Sequence, residues 1–292
     1  MHYKSNKRVL GHLLIIGGGE ERSGGGMAVL TCFVELSGGT DKPIIVLTAA
    51  SKLGDALWQQ YRNAFTELGV LNLTHVHFDS PEEAASEKAL AALGQAGGVF
   101  MTGGAQKRLM QMLRDTPFLN EMRKAYHERG ACIAGTSAGA SAMSRLMLAD
   151  GRSELEPSKG MIEFESGTGL APHIVVDQHF AQRGRLPRLL TAITEHPELY
   201  GVGIDEDTAL AICPGQAMEV VGEGAVTVLD GRTMLSNVAE IGRHDAPRII
   251  GVRLHVLPSG TSFQAAATEG PGLAPEPFAD FFNALIELDH PQ

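Results

Sequence analysis

Short apolar runs alternate with longer amphipathic stretches through the first half of the chain, and this alternation constrains the fold most. Each run is too short for a helix. Each stretch repeats its apolar side chains at helical spacing, as Leu57, Tyr61, Phe65 and Leu68 do. The sequence therefore predicts strands at residues 13–16, 44–48, 73–78, 97–101 and 131–134, and helices at residues 56–68, 81–93 and 106–113. Such alternation favours an α/β fold, with a mostly parallel sheet and helices on both faces.

The second half of the chain is richer in predicted strands. They lie at residues 174–176, 203–204, 209–212, 219–221 and 249–257, with helices at residues 186–194 and 277–288. Residues 260–277 are rich in Gly, Ala and Pro, and we expect a loose surface segment there. Because that segment comes too late to separate two domains, we expect a single α/β domain over residues 1–292, with a β-rich C-terminal extension of the sheet.

Composition excludes several classes of protein. The net charge of −10 disfavours general nucleic-acid binding, which needs clustered Lys and Arg. No apolar run approaches the roughly 20 residues of a membrane helix, so we expect no membrane association. Cys32, Cys132 and Cys213 are far apart and odd in number, which favours free thiols in a reducing, cytoplasmic environment. No residue spacing suggests a metal, and the two acids after Gly17–Gly19 argue against a dinucleotide site.

Ser137 stands between two glycines, Gly135 and Gly139, directly after a predicted strand. This G-x-S-x-G pattern is typical of a nucleophilic serine on a tight turn from strand to helix, where small neighbours let the turn close. The residues that follow are compatible with a helix, whose first N–H, that of Ala138, could stabilise an oxyanion. The alternative is a helix start of small residues that only pack against the sheet.

A nucleophilic serine needs a general base, and His173 and His179 lie nearest to the other reactive residue types. His179 directly follows an apolar run, so it should lie at the end of a strand, as Ser137 does. The three acids at residues 205–207 stand between two apolar runs, where one of them could orient the imidazole. A solvated acidic turn is the alternative. In α/β-hydrolases the acid precedes the histidine in the chain, and here it follows.

Three segments taken together carry a family resemblance: residues 135–140, residues 177–180 with the arginines that follow, and residues 203–208. They resemble the cyanophycinases, which are serine exopeptidases of the dipeptidase E family. The resemblance runs from about residue 15 to about residue 210 and includes residues 33–39, 48–51 and 102–104. It implies a flavodoxin-like fold related to the class I glutamine amidotransferases.

The resemblance implies a Ser-His-Glu triad, with Ser137 as nucleophile, His179 as general base and Glu206 as the partner that orients it. The implied oxyanion hole uses backbone N–H groups of Ala138, Gly103 and Gly104. The implied substrate and partner is the cyanophycin polymer, a polyaspartate with arginine on each β-carboxyl, from whose end the family releases β-aspartyl-arginine dipeptides. The family needs no metal or organic cofactor and is commonly dimeric, so we expect a homodimer.

The resemblance also implies a substrate pocket, formed by Gln106, Asp177, Gln178, Arg183, Arg185 and Arg188. Guanidinium groups bind carboxylates through paired hydrogen bonds, and Asp177 could pair with a substrate guanidinium. Three cations at a helix start are unfavourable, which points to an anionic ligand, although three solvated arginines are the alternative. The family usually has an aspartate where this chain has Ala105, so a helix cap is lost and fine substrate preference stays open.

Three other functions fit parts of the sequence. They are an aspartyl or isoaspartyl dipeptidase of the same family, an α/β-hydrolase esterase and a non-catalytic binding module. The arginines disfavour the first, the order of acid and histidine disfavours the second, and the apparent triad disfavours the third.

Overall fold

The computed structural model describes residues 10–151 and 154–287. The strands are β1 (Leu13–Ile16), β2 (Ile44–Leu47), β3 (Leu73–Val76), β4 (Gly98–Met101), β5 (Cys132–Thr136), β6 (Leu146–Gly151), β7 (Ile162–Ser166), β8 (Ile174–Gln178), β9 (Tyr200–Ile204), β10 (Thr208–Cys213), β11 (Ala217–Gly222), β12 (Ala225–Asp230), β13 (Leu235–Ser236), β14 (Ile249–Ile250), β15 (Arg253–Pro258) and β16 (Ser262–Gln264). The helices are α1 (Ala28–Leu36), α2 (Gly54–Glu67), α3 (Glu87–Gln95), α4 (Gln106–Leu113), α5 (Pro117–Arg129), α6 (Ala138–Ser141), α7 (Leu186–Glu195) and α8 (Ala279–Ile286).

The larger sheet has, within the described residues, eight strands in the order β16-β11-β10-β1-β5-β4-β2-β3. Strands β1, β5, β4, β2 and β3 are parallel to one another. Strands β10, β11 and β16 continue the sheet in antiparallel pairs. The predicted α/β class, the mostly parallel sheet and its β-rich C-terminal extension are therefore confirmed.

The strand that precedes His179 belongs to a second sheet rather than to the extension. This sheet has the order β15-β12-β9-β8, with β8 and β9 parallel. Ile174, Val202 and Val228 from these strands lie in the same apolar cluster as Leu13 and Ile15 of β1. The two sheets are thus packed through one core, and the ends of β5 and β8 can approach each other.

Both faces of the parallel sheet are buried. Leu13 and Ile15 of β1 lie in one apolar cluster, while the alternate residues Leu14 and Ile16 lie in another. Helices α1 and α2 contribute to the second cluster, and α3, α4 and α5 contribute to the first. Burial on both faces explains why the strands read as continuous apolar runs rather than alternating patterns. None of the helices in the described ranges has the length and apolar character that crossing a membrane requires.

The helix predicted after Ser137 is much shorter than expected. It ends at Ser141, and the chain enters strand β6 at Leu146. The backbone carbonyls that would continue the helix bond elsewhere, because Ala142 and Met143 accept hydrogen bonds from the N–H groups of Thr168 and Ala171, at 2.7 and 2.9 Å. Pairing with a later segment therefore overrides the helical preference of these residues.

Three other predicted segments differ from the structure. The helix predicted at residues 81–93 is divided at Ser86, which is extended, into a 3₁₀ turn and α3. The strand predicted at residues 249–257 is divided at Gly251, where φ is +83°. The segment 260–277, expected to be loose, contains β16, and Phe263 in that strand is buried against Phe278 with ring centroids 5.0 Å apart.

Candidate active site

The turn at Ser137 requires both of its flanking glycines. Ser137 follows β5 with φ 52° and ψ −108°, a conformation that side chains rarely adopt and that costs about 1–3 kcal/mol. A Cβ atom on Gly135 would lie 2.4 Å from the Gly139 carbonyl oxygen, and one on Gly139 would lie 2.4 Å from the Met101 carbonyl oxygen. The G-x-S-x-G spacing therefore reflects two close backbone contacts that leave no space for a side chain.

Ser137, His179 and Glu206 form a continuous row of hydrogen bonds. The Ser137 Oγ lies 2.9 Å from His179 Nε2, and His179 Nδ1 lies 2.5 Å from Glu206 Oε1. His179 directly follows β8, and its backbone N–H donates to the Gly17 carbonyl oxygen at 2.8 Å. The row presents a hydroxyl, an imidazole and a carboxylate in the order that activates a serine.

The structure distinguishes between the three acids at residues 205–207. The Asp205 carboxylate accepts hydrogen bonds from the backbone N–H groups of Ala181 and Ala225, at 3.0 and 3.1 Å. The Asp207 carboxylate accepts one from the Glu21 N–H at 3.1 Å. Glu206 lies between these two acids and turns towards the imidazole. The two aspartates thus fix the loop while Glu206 contacts the histidine.

The surroundings of His179 favour its neutral form. Burial is the largest cause and lowers the pKa of the imidazole below its ordinary value of 6.5, and the positive charges of Arg183 and Arg185 lower it further. The hydrogen bond to Glu206 opposes these effects. A neutral imidazole can accept the serine proton, so the base form persists to lower pH than it would for an exposed histidine.

The backbone around Ser137 offers donors for an oxyanion. Ala138 is the first residue of α6, so its N–H has no partner within the helix. Gly103 lies beside the serine, since a Cβ atom there would lie 3.4 Å from Ser137 Cβ. Gly104, with φ 145°, is held instead against the Ala50 carbonyl oxygen, 2.3 Å from where a Cβ atom would lie. The oxyanion roles of all three residues stay predictions.

Asp177 is enclosed by arginines of the same chain. Its side chain is fully buried and accepts hydrogen bonds from Arg185 Nη1 at 3.1 Å and from Arg188 Nε and Nη2 at 2.8 and 2.5 Å. Arg188 also donates to the Gly151 carbonyl oxygen at 3.1 Å. Two internal guanidiniums thus already bind the Asp177 carboxylate, and its pairing with a substrate guanidinium stays a prediction. Arg188 is likewise buried and serves this pair rather than lying solvated at a helix start.

Within the described residues, Arg185 lies in a cluster that has more positive than negative charge. Two buried guanidiniums, those of Arg185 and Arg188, share the single carboxylate of Asp177. Burial is the largest cause that lowers the pKa of Arg185 to about 10; the charges of Arg188 and Arg183 contribute to the lowering, and the attraction of Asp177 opposes it. The Arg185 Nε is buried and has no hydrogen-bond partner within the described residues. This excess of positive charge, next to His179, suits a negatively charged group.

The remaining predicted pocket residues differ in exposure. Arg183 is exposed, in an open groove that Glu154 and Glu156 also line. Gln178 is buried, and its side-chain oxygen accepts a hydrogen bond from Arg185 Nη1 at 2.8 Å. Gln106 begins α4 and donates from Nε2 to the Leu148 carbonyl oxygen at 3.1 Å. Arg183 is thus the one of these three that lies open to solvent, and their substrate roles stay predictions.

Ala105 occupies the N-cap position of α4 and makes no side-chain cap. Its backbone N–H instead donates to the Ala50 carbonyl oxygen at 2.9 Å. The loop that carries Gly103 and Gly104 is therefore anchored by backbone contacts, so the alanine removes a cap without leaving the loop unattached.

The sequence of the chain matches known proteins over most of its length. The sequence model of peptidase family S51 matches residues 13–220. The chain belongs to peptidase family S51. It is 36% identical over 254 residues, covering 87% of this chain and 79% of the relative, to the cyanophycinases of Synechococcus elongatus and of Thermosynechococcus vestitus. It is 34% identical over 252 residues to the cyanophycinase of Geminocystis herdmanii, covering 86% of this chain and 92% of that relative.

A solved structure shares the fold of this S51 peptidase. The peptidase from an acI-B1 Actinobacterium aligns with a TM-score of 0.64, covering 87% of this chain and 97% of that chain, at 21% sequence identity. The family match identifies the chain as a serine-type peptidase, and the structural likeness shows the fold that the sequence predicts.

The S51 active site includes one segment that the sequence analysis did not assign to it. A Cβ atom on Gly18 would lie 2.4 Å from His179 Cε1, and one on Gly19 would lie 3.1 Å from Glu206 Cβ. The Gly18 carbonyl oxygen also accepts a hydrogen bond from the Asp207 N–H at 2.8 Å. The available signal was three consecutive glycines directly after a strand, which permit another segment to approach the backbone closely.

Proposed function

We propose that this S51 peptidase hydrolyses cyanophycin, releasing β-aspartyl-arginine dipeptides from the chain end through an acyl-enzyme on Ser137. The observation that carries the proposal is the hydrogen-bonded row from Ser137 through His179 to Glu206, in a chain that is 33–36% identical to cyanophycinases over most of its length. A related aspartyl or isoaspartyl dipeptidase, an α/β-hydrolase esterase and a non-catalytic module are not favoured, because the similar relatives are cyanophycinases.

In the first half-reaction, Ser137 Oγ forms a bond to the scissile carbonyl carbon while its proton passes to His179 Nε2. Glu206 accepts the hydrogen bond from Nδ1–H, which fixes the ring and stabilises the imidazolium. The proton then moves from Nε2 to the leaving amine as the C–N bond breaks. A water molecule next adds to the ester, giving its proton to Nε2, and Ser137 recovers that proton as the ester bond breaks.

The negative charge that develops on the carbonyl oxygen needs donors that are already in place. We assign this role to the N–H of Ala138 and to an N–H of Gly103 or Gly104. The position of Ala138 at the start of α6 and the closeness of Gly103 to the serine support this assignment. Donors of this kind act most strongly where water is excluded.

We assign the free carboxylates of the substrate, which belong to its arginyl groups and to the chain terminus, to the positive charge around Arg185 and Arg183. In this assignment Asp177 and Gln178 hold the Arg185 guanidinium, and Arg188 holds Asp177. Arg183, which is exposed, contacts the substrate directly, and Gln106 lines the same site. In this assignment the arginines recognise free carboxylates of the polymer, while Asp177 acts through them.

Incubation with insoluble cyanophycin, with detection of released dipeptide by mass spectrometry, tests the proposal. The wild-type protein should release β-aspartyl-arginine, and Ser137→Ala should lower kcat by roughly a factor of 10⁶. Simple aspartyl and isoaspartyl dipeptides serve as competing substrates in the same assay. Cleavage of these dipeptides without cleavage of the polymer would contradict the proposed substrate.

We further propose that the protein acts in the cytoplasm as a homodimer. The three cysteines are free, as is typical of proteins in reducing compartments. Strand β15 is the outermost strand of its sheet, and Leu254 and Val256 on it are about half exposed, so two copies could pair along this edge. Light scattering should give the mass of a dimer, and the double variant Leu254→Lys/Val256→Lys should give a monomer.

A further inference from the structure

A buried carboxylate lies beside the reactive turn and takes no part in the mechanism above. The side chain of Glu20 is fully buried. Glu20 directly follows the glycine segment, residues 17–19. Its Oε2 accepts a hydrogen bond from Thr136 Oγ1 at 2.6 Å. Its Oε1 accepts one from the Tyr61 hydroxyl and another from Arg22 Nη2 at 3.4 Å. A buried carboxylate is retained only with donors of this kind, so the group is held in one place.

Thr136 connects this carboxylate to the nucleophile. It is the last residue of β5, it is buried, and Ser137 follows it directly. The Ser137 N–H donates to the Ile16 carbonyl oxygen at 3.0 Å. The turn is therefore attached at two points. The Ser137 backbone binds the end of β1, and the Thr136 side chain binds Glu20, four residues beyond Ile16.

The side chains of His179 and Glu206 contact the glycine segment that precedes Glu20. Gly18 and Gly19, directly before Glu20, lie against the side chains of His179 and Glu206. A shift of the segment would therefore change the position of the imidazole and the carboxylate as well as that of the serine. Glu20 is the point at which this segment is fixed to the strand that carries the nucleophile.

We infer that Glu20 is a positioning residue, which holds Ser137 in register with His179 and Glu206 through its hydrogen bond to Thr136. The inference rests on the serine mechanism proposed above and goes beyond it in naming Glu20 and Thr136. Burial and the neighbouring Glu20 raise the pKa of Tyr61 well above its ordinary value, so the phenol stays a donor to the carboxylate. Arg22, whose guanidinium lies 4.8 Å from the centre of the Tyr61 ring, covers the group from the solvent side.

Four variants test the inference by the rate constant for each active molecule. Glu20→Gln and Thr136→Val conserve shape, and each should lower kcat about tenfold with KM changed less than about twofold. Thr136→Ser keeps the hydroxyl and should retain most of kcat. The double variant Glu20→Gln/Thr136→Val should lose little more than either single variant, because both remove the same contact.

Thr194→Val is the matched control. Like Thr136, Thr194 is buried and its hydroxyl donates a hydrogen bond, in this case to the Leu190 carbonyl oxygen at 2.7 Å. Thr194 lies on α7, away from the turn at Ser137. It should leave kcat unchanged. Active molecules are counted by titration with a serine-directed fluorophosphonate. The second-order rate constant of this labelling is a second readout, and it should fall together with kcat in Glu20→Gln and in Thr136→Val.

Two outcomes would overturn the inference. One is an unchanged kcat for each titrated site in Thr136→Val, with only the melting temperature lowered, which would indicate a purely structural role. The other is additive losses in the double variant. A wild-type protein that labels but leaves cyanophycin uncut would contradict the proposed substrate alone, since the labelling rates still compare the variants, whereas failure to label would contradict both proposals.

Discussion

Three residues in and beside the candidate active site have a positive φ, in the region that favours glycine. These are Ser137, His179 and Asp207, with φ of 52°, 49° and 45°. Each stands in a turn directly beside a strand end, and such conformations persist only where the surroundings impose them. The surroundings here are backbone segments in close contact, and the glycines at positions 17–19, 135 and 139 make that contact possible. The geometry of the reactive row is thus set before substrate binds.

Gly18→Ala tests this contact at the residue scale. The new Cβ atom would lie 2.4 Å from His179 Cε1, and Gly18 has φ 98°, so the imidazole must move away. We expect kcat to fall about a hundredfold, since a displacement of about 1 Å is enough for such a loss. Gly25→Ala, where no atom lies within 4 Å, should retain activity. Equal activity of the two variants in the dipeptide-release assay would show that the contact does not position the imidazole.

Arg183→Gln tests the electrostatics of the base. The charge of Arg183 lowers the pKa of His179, so its removal should raise that pKa and move the acid limb of reactivity to higher pH. The pH dependence of fluorophosphonate labelling measures this without requiring the substrate pocket. Arg62→Gln, at an exposed position on α2, is the matched control and should leave the limb in place. A limb that stays fixed, or moves to lower pH, in Arg183→Gln would contradict the electrostatic explanation.

At the scale of elements, the site is assembled from the ends of strands. Ser137 follows β5 and His179 follows β8, while Glu206 lies in the turn between β9 and β10. The parallel pairing of β8 with β9 brings the histidine and the acid to the same end of the second sheet, and β1 with its glycine segment lies between them and β5. Helix α7 then returns over the second sheet, against β9 and β12, and this places Arg185 and Arg188 on Asp177 of β8.

Asp177→Asn tests the joint between β8 and α7. Removing the one carboxylate leaves two buried guanidiniums without a counterion, so we expect a loss of about 3–5 kcal/mol in the free energy of unfolding. Asp79→Asn also breaks an ion pair, with Arg108, but 78% of the Asp79 side chain is exposed. That control should lose less than about 1 kcal/mol. Urea denaturation measures both, and similar losses would argue that the buried pair does not hold α7 to the strand.

The sequence predicts those elements whose patterns are local. The five parallel strands are found because burial on both faces makes them continuous apolar runs. Helix α1 was missed because Ala28–Leu36 is apolar on almost every side and so lacks a polar stripe. Helix α5 was missed although its signals are present, namely a Thr116 cap, Pro117 at the first position and a left-handed Gly130 at the end.

In the candidate site too, some residues could be identified from local sequence patterns and others could not. Ser137 and His179 could be found because each follows a strand, and the choice of Glu206 among three acids came from the family resemblance. The enclosure of Asp177 could not be predicted, since it depends on where α7 returns over the second sheet rather than on any spacing along the chain. The inward turn of Glu20 was hidden for the same reason, and the sequence presented it only as one of two adjacent acids.

At the scale of the whole molecule, the core continues past the end of the family match. The match ends at residue 220, yet Phe263, Phe278 and Phe281 lie in the same apolar cluster as Leu13 of β1. Arg232 adds to this attachment, because its guanidinium bonds Asp280 at the start of α8 at 2.9 Å. We therefore propose that the chain unfolds as a single domain, as the sequence also predicts.

Phe281→Ala tests this proposal. Phe281 is 1% exposed, and its truncation should lower the free energy of unfolding by about 3–5 kcal/mol. Trp58, on α2, is the single tryptophan and reports on the opposite part of the molecule through its fluorescence. In a single cooperative unit its transition midpoint should fall together with that of circular dichroism. Leu273→Ala, at a partly exposed position, should change neither, and a Trp58 transition that is unmoved by Phe281→Ala would indicate two domains.

The long separation of the reactive groups along the chain has a consequence for biosynthesis. A nascent polypeptide that has left the ribosome as far as β7 already carries the hydroxyl of residue 137, but the imidazole of residue 179 and the carboxylate of residue 206 are still to come. On the proposed mechanism, an unfinished or prematurely terminated product of translation is inert towards cyanophycin. Hydrolysis begins only when synthesis has passed the last of these residues and the two sheets have packed together.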